Sequence, residues 1–429
     1  MHKSIIKFTV TTAIVSMLAM TNGAFAAVTI KLPEVIGLVP TGGGVFTTAL
    51  NKKRNEVYVV SINAKKIFIV DGTTDKMKEG VEPIDLKDAV INGITYNETT
   101  DQILMADYGE TSSKLLVWDR ETQEFVGSPI DLNTLHAAKI AIDESTNTAY
   151  VSNMHSGTVS VVDVKNQIKL TDIVIGTGAP TPAGCNPWDS ANPCTTPGSN
   201  PLNMSINQKT HKLYVASYTE GTITVIDTKT NRVVGSRIPV GSQPNGMGIN
   251  LKMNRIYVNN WQDGTVSVID GKTNKVIGDP IVVGSGLQDP PHCYEAGKLD
   301  ACTSWGSMPL GSIGINEAKN LIYVASSNDG TIITINSKTN TVAGADVHVT
   351  TGPLVPAGCA NFGACTQGSS ATNAIYNAAT DKLYVVSGRD GWLMILKGQG
   401  SKDAIPPAVA DSHGCVAPKQ WDPAMKMCM

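Results

Sequence analysis

Residues 257–270 read YVNNWQDGTVSVID. Residues 257–260 read as a strand, Gln262-Asp263-Gly264 as a tight turn, and residues 265–270 as the returning strand. On the return, Val266, Val268 and Ile269 alternate with Thr265, Ser267 and Asp270. Asp-Gly between alternating runs is a strong hairpin signal, because Gly accepts the positive φ that the turn requires.

The same pattern recurs seven times, anchored at Tyr58, Leu104, Tyr150, Tyr214, Tyr257, Tyr323 and Tyr384. A short run ending in Asn or Asp precedes each hairpin, as at residues 246–250 and 311–316. A turn such as Thr228-Lys229-Thr230-Asn231 or Lys272-Thr273-Asn274 follows most of them, then a further run such as 233–240 or 275–283. Each unit therefore has four strands, a to d. Four-stranded units at ~40–50 residues are the signature of a β-propeller, so the expected fold is all-β with seven antiparallel blades. The intervals between anchors are 46, 46, 64, 43, 66 and 61 residues. The three long ones contain Cys185/Cys194, Cys293/Cys302 and Cys359/Cys365, so the extra residues are insertions. All three fall between strand d of one unit and strand a of the next.

YVSN at residues 150–153 and YVNN at 257–260, each followed by a Gly-Thr turn and a V-x-V-I/V-D strand, resemble the YVTN family of β-propeller repeats. The resemblance spans nearly all of residues 44–396. It implies an exported or surface-associated bacterial or archaeal propeller. It does not imply one activity: similar propellers form lyases, lactonases and the large subunit of quinoprotein amine dehydrogenases.

Three segments follow. Residues 1–26 have a basic start (His2, Lys3, Lys7), an apolar run at 8–20 and Ala24-Phe25-Ala26, a small-x-small cleavage pattern. They read as a signal peptide, with the mature chain starting at Ala27. Residues 27–400 form the propeller, and 401–429 a C-terminal tail tied by Cys415 and Cys428. The seventh unit lacks a clear fourth strand after Leu396. The strand-like run at 28–38, VTIKLPEVIGL, is expected to fill that place and close the ring, removing an open sheet edge. Loss of Lys3 and Lys7 takes the formal charge from −3 to −5. A mildly acidic chain without a basic stripe is not expected to bind nucleic acid. No run in the mature chain approaches the ~20 apolar residues of a spanning helix. The expected location is the periplasm or the medium. There an even set of eight cysteines favours disulfides, nearest neighbours in sequence being the simplest pairing.

Strand order puts the b–c turns and d–a loops on one face of a propeller. The b–c turns carry Asp107, Tyr108, Met154, His155, Tyr218, Trp261, Asn328 and Arg389, and the second Cys insertion adds Trp305. These are the candidate ligand-binding residues, with Tyr108, Tyr218 and Trp261 as rim aromatics able to stack on a ligand. Glu220, Asp263, Asp329 and Asp390 precede the turn Gly and read as turn formers. No cofactor is expected. A metal ion is the one exception, and His136, His155 and His292 on loops of this face are its candidate ligands, with Met154 and Met308 as thioethers. The chain has no G-x-S-x-G, H-E-x-x-H or Walker motif. Thr41-Gly42-Gly43-Gly44 lacks the Lys of a phosphate loop and reads as the turn into the first blade.

The expected function is a scaffold of the cell envelope that presents this face to a protein partner or small ligand. The alternative is a periplasmic enzyme or enzyme subunit of lyase, hydrolase or quinoprotein-dehydrogenase type, with its site at the channel mouth.

Overall fold

The computed structural model describes residues 33–42, 44–109, 111–178, 180, 198–284, 309–327, 330–344, 346–349, 371–388, 391–398, 421–422 and 427–428. Seven antiparallel sheets stand in a ring as the blades of a β-propeller. Blade 5 is the pattern for the rest. Strand a is Pro244–Asn250, b is Arg255–Asn260 and c is Thr265–Asp270. Asn260 pairs with Thr265 and Tyr257 with Val268, and Gly264 takes the left-handed φ of +65° in the turn.

The alternation on strand c does not leave a wet side. Val266, Val268 and Ile269 are buried, and so is Ser267. Each blade lies between two others, so both of its faces are interior. The buried Ser267 hydroxyl is satisfied by the Asn260 side-chain amide at 2.9 Å, and Ser160 by Asn153 in blade 3 in the same way.

The fourth strands differ from the continuous runs expected at 233–240 and 275–283. In blade 5 the outer position is filled by two two-residue pieces, Lys275–Val276 and Ile281–Val282, both on strand c. Gly278 at φ +62° and Pro280, which lacks an N–H, interrupt the ladder between them. Blade 3 has no such Gly, and its strand d runs unbroken over Ile168–Val174.

Ring closure follows the expected plan. The N-terminal strand Glu34–Pro40 pairs antiparallel with Trp392–Lys397, strand c of blade 7, from Glu34↔Lys397 to Pro40↔Trp392. Thr41 then donates its N–H and hydroxyl to the Gly391 carbonyl at 2.7 and 2.9 Å. Thr41, Gly42 and Gly44 thus lie at the turn into blade 1, as expected.

The anchor tyrosines do more than fill the core. All six are fully buried. Most reach the segment that follows strand c of the next blade: Tyr150 donates to Asn231 Oδ1 at 2.6 Å, Tyr214 to Asn274 at 3.4 Å, Tyr257 to Asn340 at 3.4 Å and Tyr323 to the Gly398 carbonyl at 3.0 Å. Tyr384 closes the series on the Gly72 carbonyl of blade 1 at 3.5 Å. Burial holds these phenols protonated, with Tyr214 pushed up to about 12. Between blades 1 and 2 an ion pair replaces this link. Glu56 accepts two hydrogen bonds from Arg120, both at 2.9 Å, and one from Tyr58 at 2.8 Å, all buried.

The inner strands lie close together. A Cβ on Gly246 would sit 1.6 Å from the Gly311 carbonyl oxygen, so only glycine permits that approach. Lys139 and Asp143 are the charged side chains of the described inner strands. Asp143 is buried and accepts the Thr228 hydroxyl of blade 4 at 2.7 Å. Lys139 keeps partial solvent contact and donates from Nζ to the Asn92 carbonyl on the neighbouring inner strand at 2.8 Å. Among the described residues no helix is long and apolar enough to cross a membrane. Within the tail, Trp421–Asp422 pairs with Met427–Cys428.

Candidate functional site

One backbone hydrogen bond recurs along the rim and shows that b–c turns and d–a loops share a face. The first residue of the b–c turn donates its N–H to the residue that leads into strand a of its own blade. Ile62 donates to Gly44, Tyr108 to Val90, Met154 to His136, Tyr218 to Asn200 and Trp261 to Gln243, at 2.8–3.1 Å. Tyr108, Tyr218 and Trp261 are therefore equivalent positions, as expected, and Ile62 and Met154 complete the set.

Their surroundings correct the expectation of exposed rim aromatics. Tyr218 is only 3% exposed, and its hydroxyl donates to Gln243 Oε1 of the next blade at 2.9 Å. Tyr108 is half-buried and stacks on His136 of the next blade, with ring centroids 4.2 Å apart and planes 21° from parallel. Both rings lie against the entry residue of the following blade, so they are seams as well as surface. Met154 and His155 are buried, and Trp261 is half-buried. Asp107 accepts the Val90 N–H at 2.9 Å, which ties the end of strand b to the loop before strand a.

The structure brings His136 and His155 together. Their rings meet edge to face with centroids 3.9 Å apart, and their Nδ1 atoms face each other within hydrogen-bond range. His136 sits at φ +57°, one residue before strand a of blade 3, and His155 lies in the b–c turn of that blade. Ser113 fixes the seam further: it accepts the Ala137 N–H at 2.9 Å and donates to the Tyr108 carbonyl at 2.7 Å. Tyr108, His136 and His155 thus form one contiguous cluster of rings across blades 2 and 3. Among the described residues no group of three His, Cys, Asp or Glu comes together.

The acids before the turn Gly are not merely turn formers. Glu220 holds both stems of the insertion that carries Cys185 and Cys194. It accepts the Thr177 N–H at 2.8 Å, the Thr177 hydroxyl at 2.6 Å and the Ser199 hydroxyl at 2.7 Å, and it pairs with Arg237 at 2.9 Å. Burial alone would raise its carboxyl, but these donors outweigh burial and hold it below the usual range. Asp263 makes one contact of this kind in blade 5, where it accepts the Ser242 N–H of the short d–a loop at 2.7 Å. The sequence offered one signal: Thr and Ser flank the insertion, facing an acid in the turn register.

Asn328, Arg389, Trp305, His292, Asp329 and Asp390 lie outside the described residues, as do residues 1–26 and Cys185, Cys194, Cys293, Cys302, Cys359, Cys365 and Cys415. Cys428 is described in its backbone only.

The ring, its closure and its repeated rim define a seven-bladed β-propeller repeat protein. The chain matches no model of a known protein family, and no curated protein matches it.

Proposed function

We propose that the chain is an exported propeller of the YVTN-repeat type, acting in the periplasm or outside the cell as a scaffold that presents the b–c rim to a protein partner or small ligand. The carrying observation is the clamp at Glu220. A carboxylate with four donors fixes the two ends of a long d–a insertion, which is how a scaffold holds a recognition loop in place without using it in the core. Half-buried Tyr108 and Trp261 on the same rim supply apolar area with a polar edge. In this reading the cysteine pairs staple the insertions, residues 1–26 direct export, and no cofactor takes part in partner binding. The enzyme reading is the alternative; it would need acid, base or metal ligands that converge at the channel mouth.

The test is site-specific photo-crosslinking in the producing cells, with the probe at Trp261 on the rim and at Lys229 on the opposite turn. Discrete adducts at Trp261 and none at Lys229 support the scaffold. Equal labelling at both positions overturns it. Mass analysis of the purified protein should show an N-terminus at Ala27.

A further inference from the structure

We propose that the a–b and c–d turns of blades 3–6 form a docking face for a membrane surface of anionic phospholipid. The inference goes beyond the scaffold reading of the rim and stands on the opposite face.

The two turns of a blade are tied together at one end of it. The first residue of the c–d turn donates its N–H to the left-handed residue of the a–b turn: Val164 to Asn147, Thr228 to His211, Gly271 to Asn254 and Ser337 to Asn320, at 2.8–3.2 Å. The next residue stands at the tip of the c–d turn, and in these four blades it is Lys165, Lys229, Lys272 and Lys338. The a–b turns of blades 4 and 5 add Lys209 and Lys252. All six lysines are exposed. The corresponding tips of blades 1 and 2 carry Thr73 and Glu121, so the run of lysines covers one arc of the ring.

The carboxylates of this arc turn inward. Asp227 accepts the Lys229 and Thr230 N–H groups at 2.9 and 3.0 Å, and Asp270 those of Lys272 and Thr273, both at 2.8 Å. Glu317 of blade 6 accepts the N–H groups of Leu251 and Lys252 across the seam. The acids hold backbone while the ammonium groups point outward. These cations lie far apart in a chain whose formal charge is −3, and the ring gathers them on one side.

The arrangement selects the partner. Equivalent turn tips of successive blades present their charges to a plane, not to a groove. Lysine is a point charge on a flexible stem, and about 4–8 such charges together are what an anionic lipid surface attracts. Each tip in blades 4–6 continues as Thr-Asn, which offers a nucleic-acid base no aromatic ring to stack on. With this face on the bilayer, the rim that carries Tyr108 and Trp261 points away from it.

The experiment mixes the protein recovered from the producing cells with vesicles of phosphatidylcholine plus phosphatidylglycerol, or of phosphatidylcholine alone, and sediments them. The protein should sediment with the anionic vesicles, stay in solution with the neutral ones, and come off as salt is raised, because exposed charges are screened. The triple change Lys229→Glu, Lys272→Glu and Lys338→Glu should weaken binding by about 100-fold, as each cation near the surface is worth about fivefold. Lys66→Glu, Lys87→Glu and Lys114→Glu alter net charge equally at exposed positions on the rim side of blades 1 and 2 and should bind as the parent does. Circular dichroism verifies that both variants are folded. Failure to sediment with anionic vesicles, equal binding to neutral ones, or equal behaviour of the two triple variants would each overturn the proposal. So would release by duplex DNA at the same phosphate concentration, which would assign the face to a polyanionic chain. Lipid leaves no protein adduct at Lys229, so crosslinking at Trp261 reports on the scaffold reading separately.

Discussion

Glu220 holds Thr177 twice, through the backbone N–H at 2.8 Å and the hydroxyl at 2.6 Å, although the two residues belong to different blades. Replacing the acid by Gln keeps the shape and removes the charge. Glu220→Gln should cost roughly 2–3 kcal/mol, the worth of charged hydrogen bonds in a partly buried site, and should speed proteolysis between residues 178 and 198. The sign with pH follows from the lowered carboxyl. The native state binds this proton less readily than the unfolded state, so the contribution is complete above the ordinary Glu range and is lost as pH falls through the lowered native value. Melts of parent and variant should converge in acid; a gap that persists to the lowest pH contradicts the clamp.

Glu56 and Arg120 replace the tyrosine link at one seam. Glu56→Gln leaves a buried guanidinium without its anion and should cost about 3–5 kcal/mol. The double change Glu56→Leu with Arg120→Met removes both charges and should recover most of that loss. Chemical denaturation of the three variants measures the coupling, and additive effects would show that the pair is not a unit.

Lys139 sits on an inner strand where desolvation pushes its amine down to about 8. Between about 8 and the ordinary lysine value of ~10.4, the unfolded chain binds more protons than the native one, so this group adds stability as pH rises. A reductively 13C-methylated sample should show one lysine titrating near pH 8, and that signal should vanish in Lys139→Gln. A titration midpoint above 10 would contradict the desolvated setting.

Deleting residues 33–41 removes strand d of blade 7. It takes away buried Val39, which packs in one cluster with Leu393 and Ile395, and uncovers the edge at Trp392–Lys397. The melting temperature should fall sharply and the protein should associate, because an open strand edge templates pairing. Scanning calorimetry and light scattering read both effects; an unchanged melt would contradict ring closure.

The ring was legible in the chain because each blade repeats one local rule, a Tyr-anchored strand, a Gly turn and a β-branched return. Repetition turned weak hairpin signals into an architecture, and the missing seventh strand d pointed to the N-terminus. What stayed hidden depends on contacts between blades. Nothing in the sequence around Tyr150 names Asn231 as its partner, and Glu220 looked like any acid before a turn Gly. The chain put His136 and His155 on one face as candidate ligands, but their direct ring contact was out of reach. It depends on a left-handed residue at 136 that swings one ring toward the turn of its own blade, and periodicity carries no record of that.

The strand that seals the ring stands at the opposite end of the propeller sequence from its partner. Thr41 and Gly391, which meet at the seam, are 350 residues apart in the chain. A chain emerging from its N-terminus delivers residues 34–40 long before the strand that will receive them. Until residues 392–397 arrive, the first and last sheets both keep raw edges. Blade 7 is in this sense a proofreader of length. A prematurely ended chain can build inner blades but has nothing to take up its own beginning, and it stays marked for proteases by the edge it cannot hide.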